Sequence, residues 1–172
     1  MRKPTSSIVL LVAVPSERRE ASEEAVREPA PKQLLFDTAA REVVGRIGRG
    51  LGSLQVTPVD DDDAHAVVAS TLEALSRRDR VNDMVGYRSG MSTRSAAGPG
   101  EVVLAVVVVA RHVVAPRAPI ENDVDLTNTI IDLLSDPECN VLSVGHRFVP
   151  EDRERAFDDA TLREVFPEIR EL

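Results

Sequence analysis

Residues 101–114 decide the fold, and they read EVVLAVVVVARHVV. Valine is β-branched, and a run of β-branched residues favours the extended backbone of a strand. Successive side chains of a strand point to opposite faces, and here both faces are apolar. A strand of this kind is typical of the centre of a sheet that helices cover on both sides. The segment therefore predicts a long central strand.

This predicted strand is longer than one covered sheet needs. Its fourteen residues would span about 45 Å at about 3.3 Å each, whereas an ordinary strand has roughly five or six residues. An exposed apolar surplus would form an edge that pairs with other chains. We therefore expect a homodimer or a protein partner that covers the surplus. Bending of the strand back over the protein's own helices is the alternative.

Shorter segments on either side supply the other elements of the fold. Strand-like runs occur at 7–14, 53–58 and 140–149, and apolar residues recur at helical spacing over 33–48, 63–77, 123–135 and, near the C-terminus, 158–166. Strands that alternate with helices favour some parallel pairing. The predicted fold class is α/β, with α+β at its margin. It has a sheet of three or four strands around the valine-rich strand, and helices pack on that sheet.

Two segments lack a clear apolar periodicity. Residues 17–32 are almost entirely polar and include two prolines, which predicts a connector. A short solvated helix is the alternative there, because Glu23 and Arg27 are spaced for an i,i+4 pair. Residues 79–100 contain four glycines and a proline, which predicts a flexible surface loop. With 172 residues, 42% of them hydrophobic, the chain fits a single domain over 1–172.

The N-terminus begins like a secretion signal but does not continue like one. Two basic residues precede the apolar run 8–14, which is short for the core of a signal peptide and is followed by Pro15 instead of a cleavage site. A buried strand explains the run better. The longest other apolar run, 102–110, is far below the ~20 residues of a membrane helix. We predict a soluble, cytoplasmic protein without a membrane span.

Composition excludes several classes of protein. The single cysteine, Cys139, excludes an internal disulfide framework and a cysteine-rich zinc finger. The net charge is −8, and residues 60–172 hold 22 acidic against 12 basic side chains, so the chain repels a phosphate backbone. Aromatic residues make up 3% of the chain, which leaves no stacking platform for single-stranded nucleic acid. We therefore predict no nucleic-acid partner.

Two motif-like stretches favour helix ends over ligand sites. Gly48, Gly50 and Gly52 have no strand leading tightly into them and no helix directly after them, so a helix C-cap explains them better than a phosphate loop. Residues 60–63 are four consecutive aspartates, whereas calcium loops place their ligands at alternate positions. We interpret the aspartates as the acidic start of the next helix. We predict no metal site and no cofactor.

The candidate site residues are His112 and His146, near the C-terminal ends of the two clearest predicted strands. If these strands are neighbours, the two imidazoles can share a metal ion or relay a proton beneath the 79–100 loop. A zinc site needs a third ligand, and no spacing in the sequence supplies one. Arg111 and Arg147 lie next to the histidines, where they can pair with acids or form a small anion pocket. The simpler interpretation is that each histidine is hydrogen-bonded at a strand end, and we assign no catalytic residue.

The last third of the chain carries a family-like pattern. Residues 141–150 read VLSVGHRFVP, and an acidic stretch and the segment FPEI at 166–169 follow. This resembles the end of the domain of unknown function 1517 family of cyanobacterial and plastid proteins, in which a strand of the form LAVEVLWTP precedes an acidic linker and a helix ending near YPDL. Phe148 stands in place of the family's Trp, and Gly145 in place of its Glu. The resemblance covers mainly residues 101–172; because the family has no established activity, it implies a fold and transfers no site.

No set of chemistry-bearing residues converges in this sequence. We therefore predict that the chain is a non-catalytic protein–protein interaction or assembly module. The alternative is a small-molecule or metal-dependent enzyme built on His112, His146 and the 79–100 loop.

Overall fold

The computed structural model describes residues 5–27, 51–60, 63–89, 100–113, 121–133 and 135–171. Its strands are β1 (Thr5–Pro15), β2 (Leu51–Val59), β3 (Glu101–Arg111), β4 (Asn140–Val149) and β5 (Arg170–Glu171). Its helices are α1 (Arg19–Ala25), α2 (Ala64–Ser89), α3 (Asp123–Leu133) and α4 (Asp159–Val165), with a 3₁₀ turn at Ser16–Arg18. The predicted helix at 33–48 lies outside the described residues, as do Gly48, Gly50, Asp61 and Asp62.

The five described strands form one antiparallel sheet in the order β4-β3-β1-β2-β5. The described part of the chain is therefore α+β, and the prediction of parallel pairing between neighbours is wrong. β2 and β3 do run in the same direction, since both are antiparallel to β1, and α2 connects them. Because β1 lies between them, this crossover joins strands that are not neighbours. The periodicity of the sequence predicts the helix that connects β2 to β3. It does not predict that β1 lies between these two strands.

The core lies on both faces of the two central strands, β1 and β3. On one face they pack against Leu126, Ile130 and Leu133 of α3. On the other face they pack against α2 and α4, where Leu72 and Leu162 are buried. Each leucine that is fully removed from water contributes about 1.5–3 kcal/mol to the free energy of unfolding. The strands predicted as central are thus covered on both sides, as their composition requires.

The valine-rich strand is shorter than predicted and is covered by its own chain. β3 ends at Arg111, and every residue from Glu101 to Ala110 is buried. β1 and β4 flank it, and helices pack on both of its faces. Val114 lies outside the described residues. In the described part of the strand there is therefore no exposed surplus for a second copy to cover, and the argument for a homodimer does not hold.

Helix α2 extends well beyond its predicted end at residue 77 and continues to Ser89. The prediction of a loop over 79–100 is therefore wrong for residues 79–89, while residues 90–99 lie outside the described part. The segment from 78 to 89 has one glycine and no proline, and a single glycine costs a helix only about 1 kcal/mol. In addition, Asp79 is buried and its carboxylate accepts two hydrogen bonds from Arg155. This ion pair holds α2 against the segment around Arg155, which lies 76 positions later in the sequence.

The polar segment after β1 is a 3₁₀ turn followed by helix α1, so the connector prediction is wrong for residues 17–25 and the helical alternative is correct. Arg19 is buried although it belongs to a polar stretch. Its guanidinium pairs with Glu23 one turn later, at 2.9 Å. The remainder of the predicted connector, from residue 28, lies outside the described part.

Side-chain caps define two of the predicted helix starts. The side-chain oxygen of Asn122 accepts a hydrogen bond of 2.9 Å from the backbone N–H of Asp125, at the start of α3. Asp158 does the same for α4, accepting from the backbone N–H of Thr161 at 2.7 Å. Strand β5 has two residues and no periodicity, and the sequence does not predict it. Within the described residues, the helices are too short or too polar to cross a membrane.

Candidate functional site

The two candidate histidines do not form a common site. β3 and β4 are neighbours, but they are antiparallel, so the C-terminal end of one lies beside the N-terminal end of the other. His146 faces Val106 across the ladder, whereas His112 follows the far end of β3. His112 lies six positions after Val106, which corresponds to about 20 Å along the sheet. A shared metal ion or a direct proton relay between these imidazoles is excluded by that separation.

His112 lies in a turn next to two acidic residues. Its Nδ1 is 3.7 Å from Asp136 Oδ2 and 3.6 Å from Glu138 Oε2, which are ion-pair distances rather than hydrogen bonds. Its φ of 59° is a left-handed conformation that histidine adopts more readily than most residues. Among the described residues, no group of three or more histidine, cysteine or acidic side chains could hold a metal ion. The Nε2 of His112 is buried and has no hydrogen-bond partner among the described residues. The interpretation of a hydrogen-bonded histidine at the strand end is therefore not confirmed for His112.

The remaining candidates also lie apart from one another. Cys139 is buried, and its backbone N–H donates to the carbonyl of Asp136 at 2.8 Å. Arg111 lies at the end of β3 near His112, far from Arg147, which is next to His146 in β4. The predicted anion pocket that combines Arg111 and Arg147 is therefore not formed. Arg147 and its neighbour His146 do line a cleft.

The outer side of β4 is an open edge of the sheet. β4 is the terminal strand, and within the described residues no strand pairs with its outer side. A bulge between Val109 and Ala110 disturbs the ladder near the start of β4, so its regular part is 143–149. Phe148 and Val149 are buried, and we call the half-buried or exposed part, residues 143–147, the β4 edge. Unpaired N–H and C=O groups along such an edge are a template for another strand.

The opposite side of the sheet is less suited to strand addition. β5 pairs with only the first two residues of β2. The rest of β2 includes Pro58, which has no N–H to donate and is typical of edges that are protected from pairing. The β4 edge has no proline before Pro150. Every residue of the β4 edge therefore has both an N–H and a C=O group, whereas the β2 side includes a residue without an N–H.

A cleft of about 400 Å³ lies beside the β4 edge, between α1 and the second half of β4. We call it the β4 cleft, and its lining residues are Arg19, Glu23, Arg27, His146, Arg147, Phe148 and Glu151. The cleft brings residues from the N-terminal fifth of the chain to a strand that follows more than a hundred residues later. It is the one described place where several charged side chains and an aromatic ring surround an open space beside a free strand edge.

Arg19 builds the wall of the cleft. Its Nη1 donates to the carbonyls of Pro150, at 3.0 Å, and Asp152, at 3.1 Å, and its Nη2 donates to the carbonyl of Glu151 at 3.0 Å. The guanidinium also lies over the ring of Phe148, 5.4 Å from its centroid. Arg19 therefore fixes α1 against the turn that follows β4, and its own donors are occupied by protein groups.

The acidic residues of the cleft are neutralised by arginines. Glu23 pairs with Arg19 and with Arg153. Glu151 lies 3.5 Å from both Arg80 and Arg147. Both carboxylates are therefore already held by cations.

Arg147 lines the cleft, and its guanidinium is hydrogen-bonded to α2. Its Nη1 donates to Glu73 Oε2 and to Ser76 Oγ, each at 3.2 Å. The pKa of the Glu73 carboxyl lies below its usual range. The main cause is the hydrogen bond from Arg147, and the second is the hydrogen bond from Arg77. The guanidinium of Arg147 is thus anchored on the helix and does not shield the β4 edge.

Arg27 and His146 remain as the polar groups that face the cleft. The side chain of Arg27 is exposed and makes no ion pair or hydrogen bond within the described part of the chain. His146 is an exposed strand residue, yet its ring is partly surrounded by protein, and this desolvation lowers the pKa of the imidazole. The lowered pKa favours the neutral imidazole at neutral pH. Among the described residues that line the cleft, Arg27 is the cation without a counter-ion.

Sequence reasoning identified His146 and Arg147 but missed the α1 side of this cleft. Arg19, Glu23 and Arg27 recur at i,i+4 spacing, which is the signal that could have marked a helix with one charged face. No local signal joins that face to β4, because the contact is made through Arg19 and backbone carbonyls 131 to 133 residues away.

Comparisons with known proteins add no assignment to this site. The chain matches no protein-family profile, no curated protein and no solved structure. The resemblance of residues 101–172 to the domain of unknown function 1517 family therefore stays a prediction, and so does the cytoplasmic location. The geometry of the β4 edge and the β4 cleft is the basis for a functional proposal.

Proposed function

We propose that the chain is a non-catalytic protein-interaction module, which binds an extended segment of a partner protein along the β4 edge. The added segment would continue the sheet as a further strand, and its backbone would pair with the outward N–H and C=O groups of β4. In this mode of recognition, main-chain hydrogen bonds supply affinity and side-chain pockets supply specificity. The observation that carries the proposal is the edge at 143–147, which is open within the described part of the chain, with the β4 cleft directly beside it.

The usual protection of edge strands is weak along this stretch. Proteins protect edges with charges, prolines, bulges or a covering element. The bulge of the β3–β4 ladder lies before Ser143, and the one arginine of the edge, Arg147, is held on α2 by Glu73 and Ser76. Residues 143–147 are therefore regular and half-buried or exposed, and no described strand pairs with their outer side.

A partner protein is a better occupant than a second copy of the chain. The reason to expect a homodimer was an exposed surplus of the valine-rich strand, and β3 is buried within its own chain. The chain is also acidic, with a net charge of −8, so two copies repel each other at long range. Light scattering in the experiment below reports whether a second copy occupies the edge.

The enzyme alternative has no comparable support. An enzyme of that kind needs His112, His146 and the 79–100 loop to lie close together in space. The antiparallel register separates the histidines by about 20 Å, and residues 79–89 belong to helix α2. The proposal therefore rests on the edge of the sheet and not on a set of reactive side chains.

Two matched variants test strand addition. Val144 in β4 and Val56 in β2 are both half-buried valines that pack against the same core, one at each side of the sheet. Val144→Lys places a cation on the β4 edge, which is the natural means of blocking an edge. Val56→Lys is the control for loss of a half-buried valine. The folding of both variants is checked by circular dichroism and thermal unfolding.

A phage-displayed library of random linear peptides is selected on the wild-type protein, and the best binders are synthesised. We expect peptides with alternating apolar residues that slow amide hydrogen exchange in 143–147. We also expect binding to Val144→Lys to be about tenfold weaker or worse and binding to Val56→Lys to be unchanged. The proposal is wrong if no selected peptide protects the β4 edge, or if Val144→Lys binds as well as Val56→Lys. It is also wrong if light scattering shows a dimer paired through β4.

A further inference from the structure

Three residues of β4, His146, Arg147 and Phe148, line the β4 cleft. Of these, His146 and Phe148 lie on the same face of the sheet. A strand added to β4 lies about 4.8 Å away, and alternate side chains of that strand stand on the same face as those of His146 and Phe148. This is the face against which α1 packs, because Arg19 covers the ring of Phe148 and Val26 belongs to the same core cluster. A side chain of the added segment next to His146 therefore enters the cleft between β4 and α1.

The charges of the cleft decide which side chain fits. Glu23 and Glu151 are each held by two arginines. Arg27 is the cation for which the described part of the chain gives no counter-ion. A lysine or arginine in the added segment would meet only neutralised carboxylates and the positive charge of Arg27. A carboxylate would meet an unpaired guanidinium and the neutral imidazole of His146, which can donate a hydrogen bond.

Arg27 is a local exception in an acidic protein. The net charge of the chain is −8, so acidic residues elsewhere in a bound segment experience repulsion and not attraction. A general preference for acidic peptides is therefore not expected. The preference is confined to the single position that enters the β4 cleft.

We infer that the β4 cleft selects a partner segment that carries an aspartate or glutamate at the position facing Arg27 and His146. This inference rests on the proposed strand addition at the β4 edge, and it names the chemistry of the partner. The carboxylate would pair with the guanidinium of Arg27, while the main chain of the segment pairs with β4.

The probe is the tightest synthetic peptide from the selection described above, together with its Glu→Gln or Asp→Asn form at the enriched position. Arg27→Gln removes the guanidinium that faces the cleft. Arg163→Gln is the control for net charge, because Arg163 is an exposed arginine of α4, which packs on the other face of the sheet. Affinities of both peptides for the three proteins form a double-mutant cycle.

We expect the selected peptides to share an acidic residue at one position. Neutralising that residue should weaken binding to the wild-type protein and to Arg163→Gln by about threefold to fivefold, as for an exposed ion pair. The same change should have no effect on binding to Arg27→Gln. The inference is overturned, and strand addition stands, if peptides protect the β4 edge without an acidic preference or if Arg27→Gln shows the same loss as the wild type. If no peptide binds the β4 edge, both the inference and the proposed function are overturned.

Discussion

Asp79 and Arg155 form a two-point ion pair between helix α2 and the segment that follows β4. Both carboxylate oxygens of Asp79 accept hydrogen bonds of 3.2 Å, from Nη1 and Nη2 of Arg155. The side chain of Asp79 is 8% exposed and that of Arg155 is 25% exposed. The pair joins residues that are 76 positions apart and holds α2 beside the turn that Arg19 contacts from the other side.

Replacing Asp79 by Asn should destabilise the protein by about 2–3 kcal/mol. The substitution keeps the size of the side chain but leaves the guanidinium of Arg155 without its charged partner, and breaking a fully buried pair costs about 3–5 kcal/mol. Arg77→Gln, which removes an exposed pair with Glu73, should cost less than about 1 kcal/mol. Urea unfolding of the three proteins measures both values. Equal midpoints for Asp79→Asn and Arg77→Gln would show that the pair does not anchor α2.

Gly145 allows α2 to approach β4 closely. A Cβ atom at this position would lie 2.8 Å from Val68 Cγ1 and 2.9 Å from Leu72 Cδ1, so Gly145→Ala should cost about 1–3 kcal/mol through overpacking. Val68→Ala removes one of the two contacts. The double variant Gly145→Ala, Val68→Ala should therefore be more stable than the sum of the single effects predicts. Strict additivity in thermal or urea unfolding would contradict this account of the contact.

The local elements of this fold could be predicted from the sequence, because their signals are local. The β-branched run at 101–111 and the periodic leucines of α3 indicate their own structure whatever surrounds them. The sequence predicts β1 as a strand, but no residue of β1 indicates that it lies between β2 and β3. The order and direction of the strands depend on that position. The continuation of α2 beyond residue 77 is not predicted either, and Asp79, at its start, is held by Arg155, which lies 76 positions later in the chain.

The candidate site was predictable only in part. His146 and Arg147 stand out in a strand that is otherwise mostly apolar. Their relation to α1 depends on the hydrogen bonds from Arg19 to three carbonyls of the turn after β4, and backbone carbonyls leave no mark in a sequence. His112 and His146 lie near the C-terminal ends of their predicted strands. Parallel pairing would bring these two strand ends to the same edge of the sheet. Antiparallel pairing sends those ends in opposite directions.

The cap of helix α4 should make stability depend on acidic pH. The carboxylate of Asp158 accepts hydrogen bonds from backbone N–H groups, chiefly that of Thr161, and this lowers the pKa of Asp158 below its usual value of 3.8. The stabilisation is therefore complete above the ordinary pKa and is lost as the pH falls through the lowered one. Asp158→Ala should cost about 1 kcal/mol near neutral pH, as for other N-caps. The difference between the two proteins in urea unfolding should shrink as both are acidified; a difference that stays constant would exclude the ionised cap.

His146 should make the protein less stable as the pH falls from about 7.5 to about 5. Partial burial lowers the pKa of this imidazole from its usual 6.5, so in this range the unfolded chain binds more protons at the residue than the folded chain does. Stability therefore rises with pH across the window, and acidification favours unfolding. Arg19, Glu23, Arg27, Arg147 and Glu151 are the charged groups that line the same cleft. His146→Gln keeps a polar side chain of similar length and removes the titration. Chemical unfolding at several pH values should give a shallower pH dependence for His146→Gln than for the wild type, and parallel curves would show that the imidazole is not desolvated by the walls of the β4 cleft.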